Sequence, residues 1–123
     1  MINVDGVIYG NFRCDIVGYD LNRCWKNPSP FIHPHIYKIK ELLADLSEAS
    51  SVDYCFDMHT HSKELGIFAY CCHEDSRAMP LLLSKMTSLF RYRSCTFGIS
   101  KDKKQTARAA LFEMTKNANI VTV

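Results

Sequence analysis

The apolar run from Val52 to Met58 constrains the fold most, because it predicts a buried strand that closes in a polar cluster. The cluster is the D-M-H-T-H-S stretch from Asp57 to Ser62. Along a strand, Asp57, His59 and His61 project to the same face. Imidazole nitrogens are good zinc ligands, and a nearby carboxylate can orient a ligand imidazole. The stretch therefore suggests a metal site at a strand end, and a hydrogen-bonded strand-end histidine is the alternative for His59.

Helix and strand patterns alternate along the rest of the chain. Apolar residues at helical spacing predict a helix from Pro34 to about Ser47 and a second amphipathic helix marked by apolar positions from Met79 to Phe90. Residues 103–115 are predicted to be helical, whereas Ile67 to Cys72 and Ile120 to Val123 read as strands. Residues 7–30 are predicted to be irregular. Strands separated by helices predict an α/β fold with a layered sheet.

Composition excludes several classes of protein. With 123 residues, 47% of them hydrophobic and 23% charged, the chain has the size and balance of one globular domain. A net charge of +2 is too small to indicate nucleic-acid binding. No stretch reaches the roughly 18 apolar residues of a transmembrane helix, and Met1 begins no signal-peptide pattern. We therefore expect neither a nucleic-acid nor a membrane partner.

The six cysteines include no C-x-x-C pair, so neither a zinc ribbon nor a thioredoxin-like motif is present. The adjacent Cys71 and Cys72 would point to opposite faces of a strand. Reduced structural thiols are the predicted state, and a disulfide framework is the alternative.

A second polar cluster precedes the first long helix and contains N-F-R and D-L-N-R-C-W. The motifs occur along the chain in the order N-x-D-G, N-F-R, D-L-N-R-x-W, P-S-P-x-x-H-P, D-x-H-x-H-S and T-A-R. In this order and spacing they resemble the zinc carboxypeptidase superfamily, specifically the cytosolic carboxypeptidases that trim glutamates from tubulin. The resemblance implies a partial zinc-carboxypeptidase fold, with a mixed sheet flanked by helices.

The resemblance also implies roles for five residues. The D-x-N-R motif clamps the terminal carboxylate of the substrate, which carries over onto Asn22 and Arg23; the planar, charged fork of an arginine suits a carboxylate. The N-x-R motif supplies the arginine that stabilises the tetrahedral oxyanion, here Arg13. The first histidine of D-x-H-x-H-S is the family's third zinc ligand, here His59. The T-x-R motif lies where the specificity pocket is built, and its arginine, here Arg108, would complement a glutamate side chain.

Taken singly, these residues have ordinary structural interpretations. Arg23 could be a surface arginine paired with Asp20, and Arg13 could be a loop arginine. Arg108 could lie on a helix surface. By resemblance His61 would support the metal site or line the pocket, without being a metal ligand.

Two parts of the family pattern are missing. The first two zinc ligands of the family come from an H-x-x-E motif upstream of N-P-D-G, and no such motif precedes the N-V-D-G segment that begins at Asn3. The glutamate general base lies on the strand that begins near Asn119, and the sequence ends at Val123. One ligand of three cannot hold a catalytic zinc tightly, and without the base the attacking water loses its proton acceptor. We expect residues 1–123 to form a partial peptidase catalytic domain that is inactive alone.

The function implied by the resemblance is that of a zinc-dependent metallocarboxypeptidase. It would use Zn²⁺ to remove C-terminal glutamates from acidic protein tails such as polyglutamylated tubulin. Its partners would be the C-terminal tails of peptides or proteins. The implied location is the cytoplasm, with association with microtubules or cilia.

Two other classes of function stay open. One is a noncatalytic remnant that keeps the clamp and binds acidic tails without cleaving them. The other is an unrelated metal hydrolase in which His59 and His61 are both ligands. That second class needs further ligands, and the histidines available are His33 and His35, where solvated or capping roles at a helix start are expected, and His73 in a loop.

Overall fold

A computed structural model describes residues 1–50, 52–61, 65–117 and 119–123, which are built around a four-stranded mixed sheet. The strands are β1 (Cys55–Asp57), β2 (Tyr70–Cys71), β3 (Thr96–Phe97) and β4 (Ile120–Thr122). Their order in the sheet is β1-β4-β2-β3. Strand β1 runs parallel to β4 and β2 runs parallel to β3, whereas β2 and β4 are antiparallel. The predicted α/β class is confirmed.

Helices pack on both faces of this sheet. The helices are α1 (Val4–Ile8), α2 (Pro34–Ala49), α3 (Ala78–Met86) and α4 (Ala107–Thr115). One core joins α2 and α4 to the sheet through Ile36, Leu111, Cys72 and Ile120. The other core lies on the opposite face, where Met79 and Leu83 of α3 and other residues pack against Ala69, Cys71, Phe90 and Val121.

The long helix predicted from Pro34 is confirmed, because α2 begins there and ends at Ala49. Proline suits the first turn of a helix, where its missing N–H has no partner to lose. The second amphipathic helix is shorter than its apolar pattern, since α3 ends at Met86. Phe90 instead forms a bridge with Ile67 and is buried in the sheet core, so tertiary pairing overrides the helical spacing.

Two of the strands are also shorter than the apolar runs that predicted them. Strand β1 covers only Cys55–Asp57 of the predicted run, and β2 covers only Tyr70–Cys71. Residues 7–30 are irregular as predicted, apart from the end of α1 and a 3₁₀ turn at Leu21–Arg23.

The cysteines are in the predicted reduced state. All six lie within the described ranges and carry free thiols. Cys71 belongs to the core on one sheet face and Cys72 to the core on the other, as strand alternation requires. In the part of the chain that the structure describes, no helix has both the length and the apolar character needed to cross a membrane.

Candidate functional site

The loop that leads to α2 is shaped by the carboxylate of Asp15, which is 8% exposed. Its Oδ1 accepts hydrogen bonds from the backbone N–H groups of Val17 at 3.0 Å and Tyr19 at 2.8 Å. The side-chain amide of Asn11 donates to the Asp15 carbonyl at 3.1 Å. An aspartate that bonds its own following backbone closes the chain into a turn. The turn therefore brings the N-x-R and D-x-N-R motifs together.

The Asp20 carboxylate contacts residues of both motifs. Its Oδ2 lies 2.6 Å from Nε of Arg13 and 4.0 Å from Nη1 of Arg23, while its Oδ1 accepts from the Asn22 backbone N–H at 3.0 Å. The Arg13 side chain is 54% exposed and the Arg23 side chain 33% exposed. Both guanidinium groups thus share one carboxylate and still face solvent. We name Arg13, Asp20, Asn22 and Arg23 the clamp cluster.

The Asn22 side chain connects the clamp cluster to α4. Its Oδ1 accepts a hydrogen bond from the backbone N–H of Ala107, the first residue of α4, at 2.9 Å. The first N–H groups of a helix have no partner within it, so Asn22 caps α4 from a distant part of the chain. Because the oxygen is committed to the helix, the Nδ2 amide is the end of Asn22 that can donate to a ligand.

Arg108 is not on a helix surface, so that alternative is wrong: the residue is 6% exposed. Its Nη1 donates to the carbonyls of Cys71 and, at 3.2 Å, Gly98. The guanidinium carbon lies 5.9 Å from the centre of the Tyr70 ring. Within the described ranges, no carboxylate lies within ion-pair distance of Arg108. A buried cation without an anion is costly, and the two carbonyl oxygens offset only part of that cost.

His59 lies just beyond β1, next to the carboxyl end of β4. Its backbone N–H donates to the Val123 carbonyl at 3.0 Å. Its Nδ1 lies 3.0 Å from the Thr60 carbonyl oxygen, and its Nε2 lies 3.9 Å from Oδ2 of Asp57. That same carboxylate oxygen accepts from the Thr122 hydroxyl at 3.1 Å. The adjacent carboxyl ends of the parallel strands thus place an imidazole and a carboxylate together.

His61 is directed towards β2. Its Nε2 lies 2.9 Å from the Tyr70 hydroxyl, and its ring packs edge-on against Phe68 with the centroids 5.3 Å apart. The expectation that alternate residues share one face applies only as far as Asp57, where β1 ends. His59 and His61 accordingly have different neighbours.

These residues do not form a complete metal centre. Among the described residues, no group of three or more histidine, cysteine, aspartate or glutamate side chains is placed to hold a metal ion. His59 has the donor chemistry for one ligand position, whereas Nε2 of His61 already has the Tyr70 hydroxyl as a partner. The described residues therefore fit one ligand of a metal site and no more.

A chain of contacts nevertheless links the clamp cluster to the D-x-H-x-H-S segment. Asn22 caps α4 beside Arg108, and Arg108 reaches the Cys71 carbonyl and the Tyr70 ring. Tyr70 is paired in the sheet with Thr122, which bonds Asp57 near His59. A carboxypeptidase site needs the carboxylate clamp and the metal ligand within the length of one terminal residue, so we expect Arg23 and His59 to face one pocket; this stays a prediction.

Sequence reasoning missed several of these contacts. The motifs assign no role to Tyr70 or Gly98. Alternation along the predicted strand does, however, place Tyr70 on the face opposite Cys71. The expectation of a solvated His33 is wrong, because the residue is 7% exposed; it does occupy the cap position of α2, without a side-chain cap bond. Its ring packs edge-on against Tyr19 beside the clamp cluster. His73 is structural, since its Nδ1 accepts from the Asp75 N–H.

No protein-family model matches the chain. Curated proteins do match. The chain is 37% identical over 134 residues to cytosolic carboxypeptidase 1 of Mus musculus, and the match covers 91% of this chain and 11% of that protein. Cytosolic carboxypeptidase 2 of Mus musculus is 38% identical, with 93% and 14% covered, and cytosolic carboxypeptidase 6 of Homo sapiens is 35% identical, with 90% and 24% covered. The chain thus spans a small part of these relatives.

Solved structures share the fold. A putative carboxypeptidase A from Shewanella denitrificans superposes with a TM-score of 0.76 at 22% identity, covering 99% of this chain and 35% of that one. A metallo-carboxypeptidase from Pseudomonas aeruginosa, in complex with (2-guanidinoethylmercapto)succinic acid, gives a TM-score of 0.72 at 19% identity, covering 99% and 35%.

Proposed function

Because this chain belongs to the cytosolic carboxypeptidase family of metallo-carboxypeptidases, we propose that it carries the substrate-binding part of an enzyme that removes C-terminal glutamates from acidic protein tails. The proposal rests chiefly on one observation, the bond from Asn22 to the first residue of α4. It joins the D-x-N-R motif to the T-A-R helix, 85 residues further along the chain.

The clamp cluster is suited to the end of a peptide. Arg23 offers a charged fork at 33% exposure, and Asn22 offers an amide whose orientation is set by its bond to α4. Together they would bind the terminal carboxylate with charge-assisted hydrogen bonds. Arg13, also held by Asp20, would face the oxyanion that develops when the last peptide carbonyl is attacked.

Arg108 would read the acidic side chain of the last residue. Its Nη1 is fixed by two carbonyls, so the position of its charge is set before a substrate arrives. A glutamate carboxylate would supply the anion that this buried guanidinium lacks within the described residues. A neutral side chain would leave the charge buried and unpaired, which favours glutamate ends over neutral ones.

The metal of the complete protein would be zinc, with His59 as one ligand and the others supplied from outside the described residues. Bound zinc would polarise the scissile carbonyl and activate a water molecule. Residues 1–123 would then be part of a catalytic domain and inactive when isolated. The substrates would be acidic C-terminal tails such as those of polyglutamylated tubulin. The protein would then act in the cytoplasm near microtubules or cilia.

Kinetics of the complete protein test the three arginine roles. We expect Arg23→Ala mainly to raise KM, because its carboxylate bond is equal in the ground and transition states. Arg13→Ala should mainly lower kcat, by about 10²-fold, as loss of an oxyanion donor does. Arg108→Ala should lower kcat/KM for peptides ending in glutamate more than for those ending in glutamine or leucine.

Arg93 provides a matched control, because it is an exposed arginine outside the clamp cluster. Arg93→Ala should leave kcat and KM for all three peptides unchanged. Unchanged turnover in Arg13→Ala would remove the oxyanion assignment, and an unchanged glutamate preference in Arg108→Ala would remove the pocket assignment. Binding of acidic tails with no glutamate released would instead identify a noncatalytic binding protein.

A further inference from the structure

Tyr70 stands between the two motifs that the proposed function uses separately. Its hydroxyl lies 2.9 Å from Nε2 of His61, in the D-x-H-x-H-S segment. Its ring lies 5.9 Å from the guanidinium carbon of Arg108, in the T-A-R helix. We propose that Tyr70 is a positioning residue that holds the Arg108 guanidinium for acidic side chains and is itself held by His61.

Three aromatic rings fix the position of the Tyr70 ring. The Phe68 and Tyr70 rings pack edge-to-face with centroids 5.4 Å apart, and the His61 ring lies 5.3 Å from Phe68 and 5.9 Å from Tyr70. Each ring thus contacts the other two, which restricts the side-chain rotation of all three. The Tyr70 ring therefore offers the guanidinium a preset surface.

The backbone next to Tyr70 completes the support of Arg108. The carbonyl of Cys71, the next residue of β2, accepts from Nη1 of Arg108. The second acceptor is the carbonyl of Gly98, whose φ of 154° lies where a residue with a side chain is strained. The Arg108 guanidinium thus lies near an aromatic ring, and its Nη1 atom donates to two carbonyl oxygens. Loss of the ring should leave the two carbonyl bonds of Nη1 in place but allow the rest of the guanidinium to rotate about them.

This inference rests on the proposed role of Arg108 in reading glutamate. Its test uses the complete protein and peptides ending in glutamate, glutamine and leucine. Tyr70→Phe removes only the hydroxyl bond and should lower the ratio of kcat/KM for glutamate over leucine by about threefold. Tyr70→Leu also removes the ring and should lower that ratio by about tenfold. Activity on the leucine peptide should change by less than about twofold in both variants, because Arg108 makes no side-chain bond to leucine.

Tyr92→Phe is the matched control, since the Tyr92 hydroxyl lies 3.5 Å from a surface arginine, Arg77, and its ring contacts Phe97. It should leave the ratio unchanged. Inhibition by free L-glutamate and free L-leucine gives a binding readout besides turnover, and the two Tyr70 variants should weaken only the inhibition by glutamate. If Tyr70→Leu does not fold, Tyr70→Phe carries the test alone.

The outcomes separate the two proposals. An unchanged ratio in Tyr70→Phe, or an equal loss on all three peptides in Tyr70→Leu, would overturn the positioning role and leave Tyr70 as a packing residue. If Arg108→Ala itself leaves the glutamate preference intact, the pocket assignment fails first. If Arg108→Ala removes the preference while both Tyr70 variants keep it, only the inference about Tyr70 is wrong.

Discussion

The two ends of the Asn22 amide have different tasks, and substitution can separate them. The oxygen caps α4 through the Ala107 N–H at 2.9 Å, and the nitrogen is proposed to donate to the substrate carboxylate. Asn22→Asp keeps an acceptor for the helix but loses the donor. Asn22→Ala loses both. We therefore expect Asn22→Asp to be the more stable of the two variants and Asn22→Ala to have the lower KM of the two.

The magnitudes follow from the two bonds. Loss of a helix cap costs about 1 kcal/mol, which corresponds to about fivefold faster opening of the capped end. Aspartate is as good a cap as asparagine, and its charge is favourable at a helix N-terminus, so Asn22→Asp should keep this stability. A hydrogen bond to a charged group contributes about 1.5–3 kcal/mol, so its loss should raise KM at least about tenfold. A carboxylate facing the substrate carboxylate should raise KM further.

Amide hydrogen exchange at Ala107 measures the cap, and steady-state kinetics of the complete protein measure the clamp. Asn22→Ala should expose the Ala107 N–H to faster exchange, whereas Asn22→Asp should not. KM should rise in both variants and more in Asn22→Asp. Asn27→Asp, at an exposed position in the same part of the chain, controls for the added charge. Equal exchange rates at Ala107 in the two variants would refute the cap, and an unchanged KM in Asn22→Asp would refute the amide donor.

The isolated chain should bind zinc far more weakly than a three-ligand site does, as calorimetry would measure. Tight, stoichiometric binding that His61→Ala abolishes would instead support the unrelated metal hydrolase in which His59 and His61 are both ligands. Burial raises the pKa of the Cys71 and Cys72 thiols to about 11 from 9.0. Iodoacetamide at pH 8 should therefore leave both unlabelled in the folded protein and label them after denaturation; fast labelling of the folded protein would contradict their burial. The pKa of each thiol is higher in the folded than in the unfolded protein, so burial of the neutral thiols stabilises the fold fully below pH 9. That stabilisation should be lost as the pH rises through 11, and denaturation curves recorded across this range would measure the loss.

Local pattern was sufficient for the elements whose stabilising contacts repeat along the sequence. The apolar spacing after Pro34 predicted α2, because one apolar stripe and a suitable first residue specify a helix. Alternation alone placed Cys71 and Cys72 on opposite sheet faces. The same reasoning overextended α3, since the pattern shows that Phe90 is buried but not that it is buried by pairing with Ile67.

The sequence by itself determined the order of the motifs, and with it the residue types available for a clamp, a metal ligand and an acidic pocket. Only the tertiary structure decided which of these residues meet. The Asn22 cap spans 85 positions, and the bond from Arg108 to the Cys71 carbonyl spans 37. Such contacts depend on how the strands are ordered and how α4 packs on the sheet, and residue spacing carries no record of either. The burial of Arg108 is decided in the same way, because an arginine on a helix is exposed or buried according to the element packed against it.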